Sequence, residues 1–303
     1  MASVKEIQDR MKSISDTMKI TNAMYLISSS KLIKAKRNME RVQDYFNTIN
    51  RSIGDILHHM PDMEHRFLEP FENRVSKDTK EKQRAYIVIT ADKGLAGAYN
   101  LNVEKMAERE YKKNPNSKFF VIGQVGRNYF LNKHMPFEEE FFYSSQKPSL
   151  QRSRNITTDL IDVFKSGEIQ EVYIIFTHVE NGLKSQPTMM KLLPLSRDEF
   201  SEENMGLPDG EEPDIAEEFF PDAITVFNQL VPITMHGIIF SALTESYCAE
   251  LHDRMVAMDG ATKSGREMLQ ELRLQYNRLR QGSITQEITE VIAGAKSQKK
   301  KRL

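Results

Sequence analysis

Proline is missing from the first sixty residues and does not recur after Pro232. Both ends of the chain therefore lack the residue that most reliably stops a helix. Cysteine is nearly absent as well. The single Cys248 excludes internal disulfides, fits a reducing compartment, and reads as a small buried apolar residue. No uninterrupted apolar run reaches about 18 residues, so the expectation is that nothing spans a bilayer and that any membrane link runs through a partner. Lys5, Glu6, Asp9 and Arg10 break up the opening segment, which excludes a signal peptide. With 42 basic and 43 acidic residues the net charge is −1, so no overall bias points to nucleic acid. Residues that do chemistry are not grouped either. No His/Cys/Asp/Glu set has metal-ligand spacing, His58 and His59 are adjacent and face different sides of a helix, and no Gly-x-Ser-x-Gly turn occurs. The expectation is no catalytic residue, no metal and no cofactor.

What the sequence does have is a stripe. Steps of three and four residues reach Val4, Ile7, Met11, Ile14, Met18, Thr21, Tyr25, Ser28, Leu32, Ala35, Met39, Val42, Phe46, Ile49, Ile53, Ile56 and Met60. All are apolar except the small Thr21 and Ser28. Such a spacing predicts one long helix over 1–60, on the order of 80 Å, whose narrow apolar side needs a partner helix. Pro61 ends it, and the charged residues 61–83 read as a linker.

The pattern then changes to short strands alternating with helices. Residues 85–90, 118–122, 140–143, 171–177 and 188–195 read as strands, and 101–114, 125–133 and 150–165 as helices. Strands apolar on both faces, separated by helices, predict a small α/β domain over 84–196 with a mainly parallel, covered sheet. Residues 197–222 follow as an acidic loop. Within it, 198–218 hold ten acids and no base, with prolines at 208, 213 and 221.

From 223 to 295 the helical spacing returns. Leu251, Met255, Met258, Thr262, Gly265, Leu269, Leu272, Tyr276 and Leu279 repeat the three-four step, with small Thr262 and Gly265 echoing Thr21 and Ser28. The stripe shifts register near Gly282 and resumes on Ile284, Ile288, Val291 and Ala295. Residues 296–303 form a basic tail expected to fray. The economical arrangement is an antiparallel coiled coil of the two terminal helices with the α/β domain between them in sequence. The rivals are a homodimeric coiled-coil adaptor and a nucleotide-binding α/β protein with helical arms.

For the latter, Thr90-Ala-Asp-Lys-Gly-Leu-Ala-Gly97 is a glycine-bearing turn after a strand, but it lacks a Gly-Lys-Ser/Thr step and the third glycine of a dinucleotide site, so a plain tight turn explains it. Basic residues gather on both helices: Lys31, Lys34, Lys36, Arg37 and Arg41 on the first, Arg254, Lys263, Arg266, Arg273, Arg278 and Arg280 on the last. They read as a solvated flank of the seam or as a track for acidic partner surfaces. Nucleic acid suits them less, since aromatics are not interleaved.

Ile20-Thr-Asn-Ala-Met24 and Ser30-Lys-Leu-Ile-Lys-Ala-Lys36 near the start resemble the F-type ATP synthase γ-subunit family. So do Arg254-Met-Val-Ala-Met-Asp-Gly-Ala-Thr262 and Tyr276 to Glu290 near the end, and Thr90–Gly97, Gln186–Thr188 and Leu192–Leu195 between. The resemblance covers nearly the whole chain in order. It implies two terminal helices in an antiparallel coiled coil with a Rossmann-like domain, acting as a rotor shaft that couples ion flow through a c-ring to ATP synthesis or hydrolysis at β-subunit sites. Implied partners are three α and three β subunits, the ε subunit and the c-ring. The implied place is the cytoplasmic side of the bacterial plasma membrane, peripheral, within the complex. Catalysis would lie on β, leaving this chain a non-catalytic coupling subunit. Matching positions imply β contacts at Lys19, Met24, Arg254, Arg280, Gln281 and Thr285. The chain departs from the family at Ser246–Asp253, where the family is small and Ala-rich, in the length of the acidic loop, and in the Lys-rich tail.

Overall fold

The computed structural model describes residues 4–60, 62–68, 83–180, 184–200 and 219–300. Helix α1 runs Val4–His59 without a break. Then come β1 (Arg84–Ile89), α2 (Tyr99–Lys113), β2 (Lys118–Ile122), α3 (Gln124–Asn132), α4 (Leu150–Lys165), β3 (Glu171–Glu180), β4 (Lys184–Leu193) and a 3-10 turn at Arg197–Phe200. Helix α5, Ala223–Lys300, closes the order and carries Pro232 inside it. Asp222 starts α5: its Oδ1 accepts from the Thr225 amide at 2.8 Å, and this bond holds its carboxyl below the usual carboxylate range. Two compact units emerge. One comprises Met1–Ser28 with Arg254–Leu303, the other Ser29–Asp253. The division falls inside both long helices, so each helix contributes to both units.

In the first unit the two helices pair antiparallel. Thr21 Oγ1 and Thr262 Oγ1 lie 2.7 Å apart in a buried hydrogen bond. Three residues earlier on α1 and three later on α5, Met18 lies against Gly265, with Ile14 next to it. A Cβ on Gly265 would stand 2.6 Å from Met18 Cγ, so glycine lets the axes close. Every position of the α1 stripe in this unit is buried or half-buried, and the same holds on α5 from Met255 to Leu279.

The second unit is a four-stranded sheet of order β2-β1-β3-β4. β1 pairs parallel with β2 and β3, and β4 runs antiparallel to β3. Alternation along β1 sets the two layers. Tyr86 and Val88 meet Val103 and Ala107 of α2 and Phe130 of α3. Ile87 and Ile89 join the larger core with Ile156, Leu160 and Phe164 of α4, Ile53 and Ile56 of α1, and Phe227, Val231, Met235, Ile239 and Leu243 of α5. The inner stretches of both long helices thus act as a cover of the sheet, which the α/β pattern alone did not suggest. Here too they pair antiparallel, Phe46 against Gly237 and Ala35 in one cluster with Tyr247, Cys248 and Leu251.

Several expectations need correction. Residues 62–68 are irregular but partly packed, since Met63, His65 and Phe67 are buried while Asp62, Glu64 and Arg66 stay exposed, and Phe67 stacks on Phe164 at 5.9 Å. Arg197 gathers this stretch by donating to the Leu57, Met60 and Met63 carbonyls. Residues 140–143 form no strand; Arg127 holds that segment by donating to the Glu139 and Phe141 carbonyls. The basic tail is helical as far as Lys300. One stretch of α5 is, by length and composition, apolar enough to cross a membrane, with a mean hydropathy of 1.4 over 18 residues. Mean hydropathy tolerates interspersed polar residues, which a search for unbroken runs does not. Much of the apolarity of α5 instead lies in the sheet's core, where Phe227 to Leu243 supply five fully buried positions. The acidic stretch 201–218 lies outside the described residues, as do Pro61 and 69–82.

Candidate partner-contact surface

A parallel α/β sheet offers a ligand crevice where its strand order reverses, here between the carboxyl ends of β1 and β3. Beside that place, at the carboxyl ends of β1 and β2, Asp92 Oδ1 accepts from the first amide of α3, Gln124, at 3.2 Å, so a carboxylate of the protein occupies this helix N-terminus. Its Oδ2 accepts from Ser144. The Ala91 amide is spent on Asn100 Oδ1 at 2.8 Å. Ala249 of α5 packs with Ala91, Ala96 and Tyr99 in a dry cluster over the turn. Gly123, at φ +93, has no room for a side chain, because a Cβ would sit 2.3 Å from the Thr90 carbonyl oxygen. Gly123 and Gly126 thus serve close packing against Thr90, whereas Gly94 and Gly97 of the turn itself stand in open space. Among the described residues no three His, Cys, Asp or Glu side chains gather to hold a metal.

The exposed surface of the long helices is the remaining candidate. Lys19 is on the outside of α1, its Nζ 2.8 Å from Asp16, and that lysine holds the Asp16 carboxyl below its usual range. Met24 is half-buried. Arg280, Gln281 and Thr285 are exposed on α5, with the Thr285 hydroxyl donating to the Gln281 carbonyl at 2.8 Å. Arg254 stands apart at 8% exposure and offers a partner the least surface of the six. The structure sets Arg280, Gln281 and Thr285 together on consecutive turns. It does not bring all six into one site.

From Gln281 to Gly294 every residue of α5 is exposed. The resumed stripe on Ile284, Ile288 and Val291, expected to continue the seam, is 44%, 55% and 72% exposed. A further set of apolar residues lies off the seam: Ile20, Leu26, Ile27 and Ile33 on α1, and Val256, Met268 and Leu274 on α5, each at least half exposed. Reading only the three-four stripe missed these. Their signal in the sequence was an apolar side chain at a position the stripe does not use. All the basic residues named on both helices are exposed except Arg254. The outer surface therefore mixes cations with scattered large apolar groups, a composition suited to weak contact with acidic and apolar partner surfaces.

The family described as ATP synthase matches residues 3–297. The chain is 40% identical to a protein named ATP synthase gamma chain from Acetivibrio thermocellus, over 99% of this chain and all of that one. It is also 40% identical to the protein of the same name from Ruminiclostridium cellulolyticum, over 97% and 98% of the two. A relative from Acetobacterium woodii, at 34% identity over 97% and 98%, is named as sodium ion specific. Among solved structures, one chain from the Euglena gracilis mitochondrial ATP synthase superposes with a TM-score of 0.62 at 13% identity, covering 97% of this chain and 94% of that one. Another, from the Tetrahymena thermophila enzyme's central stalk and c-ring, gives 0.57 at 19%, covering 80% and 99%. At these identities the structural likeness speaks for the fold.

Proposed function

We infer the role of this chain from one premise: it belongs to the family of ATP synthase gamma chains. It is the central rotor shaft of an ion-driven ATP synthase, a membrane-associated complex. In finer detail, the reading is that the chain is non-catalytic and couples rotation of a c-ring to nucleotide chemistry on three β subunits alternating with three α subunits, with an ε subunit beside it. The complex sits on the cytoplasmic face of a bacterial plasma membrane. The Asp92 carboxylate supports the non-catalytic part of the reading, since it takes an amide at the start of α3 that a phosphate would use.

The observation that carries the reading is the seam closed by Thr21, Thr262 and Gly265 within one chain. Such a seam supplies stiffness while its outer sides stay open to partners. Three identical β sites differ at any instant only if something touches each of them differently. A shaft shifts their conformational equilibria by as much as its contacts differ among them. Lys19, Met24, Arg280, Gln281 and Thr285 are the proposed β contacts, with Arg254 contributing through whatever part of its guanidinium is reachable. The exposed end of α5 from Ile284 to Ile292 is where a surrounding sleeve finds apolar purchase.

The test has two parts. Tagged chain isolated from membranes carries nucleotide-hydrolysing subunits with it, while the purified chain alone turns over no ATP. Recovery as a bare homodimer, or turnover by the isolated chain, overturns the reading. Separately, Thr21→Cys with Thr262→Cys in a Cys248→Ala background oxidises within one chain and runs as a monomer. Cross-linked dimers point to the adaptor instead.

A further inference from the structure

The α/β unit contains a half-open cavity of about 250 Å³ between α1, α5 and the β3–β4 pair. No part of the rotor reading uses it. Phe46, Phe176, Met190 and Ile238 give it apolar walls. Thr234 lines it while only 1% exposed, and its hydroxyl has no hydrogen-bond partner within the protein. A buried hydroxyl left unpaired costs stability, so something that can bond to it is favoured there. The one charged residue among the lining is acidic: Glu245, whose Oε2 meets His178 Nδ1 at 2.7 Å, leaving its second oxygen for another donor. Among the described residues no lysine or arginine lines the cavity. A dry cavity of roughly 150 Å³ is enough for benzene, so this one holds a single ring with a short arm to spare.

We propose that the cavity between α1, α5 and β3–β4 is a binding site for a small aromatic amine, the ring between the phenylalanine walls and the ammonium directed to Glu245 and Thr234. The aromatic walls attract both a ring and a cation. A charge-assisted bond to the carboxylate selects the amine over neutral and anionic analogues. An occupant there wedges between the two long helices where they cover the sheet, and so reports on, or adjusts, their packing within this unit.

The experiment is a titration of the full chain, labelled at Met and Ile methyl groups, with 2-phenylethylamine, ethylbenzene and phenylacetate. The amine shifts the Met190 and Ile238 signals saturably in about the millimolar range expected of so few atoms. Ethylbenzene binds about tenfold more weakly and phenylacetate does not saturate. Glu245→Gln removes the preference for the amine over ethylbenzene, and the near-isosteric Thr234→Val weakens the amine about three- to fivefold. Because the three-ligand comparison on the unaltered chain needs no variant, it stands even if a substitution fails to fold. Lack of saturation by the amine, equal binding of phenylacetate, or an unchanged preference in Glu245→Gln overturns the proposal.

Discussion

Helix α5 passes through three environments, and the contrast among them shows what burial depends on. Across Ala242–Thr244 and Ser246–Leu251 every residue is buried. From Met258 to Leu272 only Met258, Thr262, Gly265 and Leu272 are. From Gln281 to Gly294 none is. The apolar spacing differs little between the last two stretches. What differs is how many layers the other described residues supply: a sheet and a second helix, then a second helix alone, then nothing. The widest burial includes Glu250, at 0% exposure.

The largest effect is expected where the layers are most numerous. Leu243→Ala removes a side chain 1% exposed in the main core and should cost about 2–5 kcal/mol in urea unfolding of the full chain. Ile288→Ala, on the uncovered stretch, should stay within about 0.5 kcal/mol. Comparable losses at both sites would mean that the end of α5 is covered within the chain, which breaks the contrast.

Two glycines sharpen it next. A Cβ on Gly237 meets the Phe46 ring at 2.4 Å, and one on Gly265 meets the Met18 chain at 2.6 Å. The distances are alike but the neighbours are not. Phe46 is a rigid ring tilted against Phe240 at 6.4 Å, whereas Met18 bends at three torsions. Alanine in a helix also gains about 1 kcal/mol over glycine. Gly237→Ala should therefore destabilise by about 1–2 kcal/mol net, and Gly265→Ala by less than about 1 kcal/mol in either direction. Thermal melts of both variants decide it; a larger loss at Gly265 would make the seam the tighter of the two.

Much of this was legible in advance. All seventeen stripe positions from Val4 to Met60 are buried or half-buried, because a three-four step gathers them on one side of the chain, where the packed neighbour lies. The bounds of β2 and α4 fall where the pattern put them. What the pattern could not supply was the identity of the cover. Ile53 and Ile56 continue the stripe of Ile14 and Met18 without a change of spacing, yet they face a sheet and not only a helix. Ile284, Ile288 and Val291 look like seam and face solvent. Phe67 and Met63 are buried from an irregular segment with no periodicity to read. For the proposed contacts, residue type marked Lys19 and Arg280 as surface, but nothing in the spacing distinguished the buried Arg254 from its exposed neighbours.

Within the α/β unit, Glu104 and Glu108 sit one turn apart on α2 and make a smaller comparison. Burial pushes Glu104 up to about 7, and its Oε1 has no hydrogen-bond partner. Hydrogen bonds from Lys112 and Tyr129 hold Glu108 down to about 2. For Glu104 the folded value exceeds the unfolded one, so the folded state binds the proton more tightly. Stability is then greatest below about 4.5 and declines as pH rises to about 7. Glu104→Gln should flatten that decline and raise stability at pH 8 by about 1–2 kcal/mol, less than the full shift because water and relaxation soften a buried charge. For Glu108 the sign is opposite: its contribution is present above about 4.5 and lost as pH falls toward 2. Urea midpoints at pH 5 and 8 read Glu104 and those at pH 3 and 5 read Glu108, and an unaltered slope between pH 5 and 8 in Glu104→Gln would show the carboxyl to be solvated.

The smallest effect tests the seam itself. Thr21 and Thr262 satisfy each other across it, and each also donates or shares with its own helix carbonyl, Met18 and Met258 respectively. Replacing one by valine leaves the other hydroxyl with its own helix carbonyl but facing an apolar group across the seam, at a cost of about 1 kcal/mol. Replacing both removes the mismatched hydroxyl along with the bond, and valine keeps the shape, so the double variant should return to within about 0.5 kcal/mol of the original. That non-additivity is available only to two residues that touch. If the single losses simply sum in the double variant, the two threonines act separately, and the closest polar contact of the seam is not what holds its register.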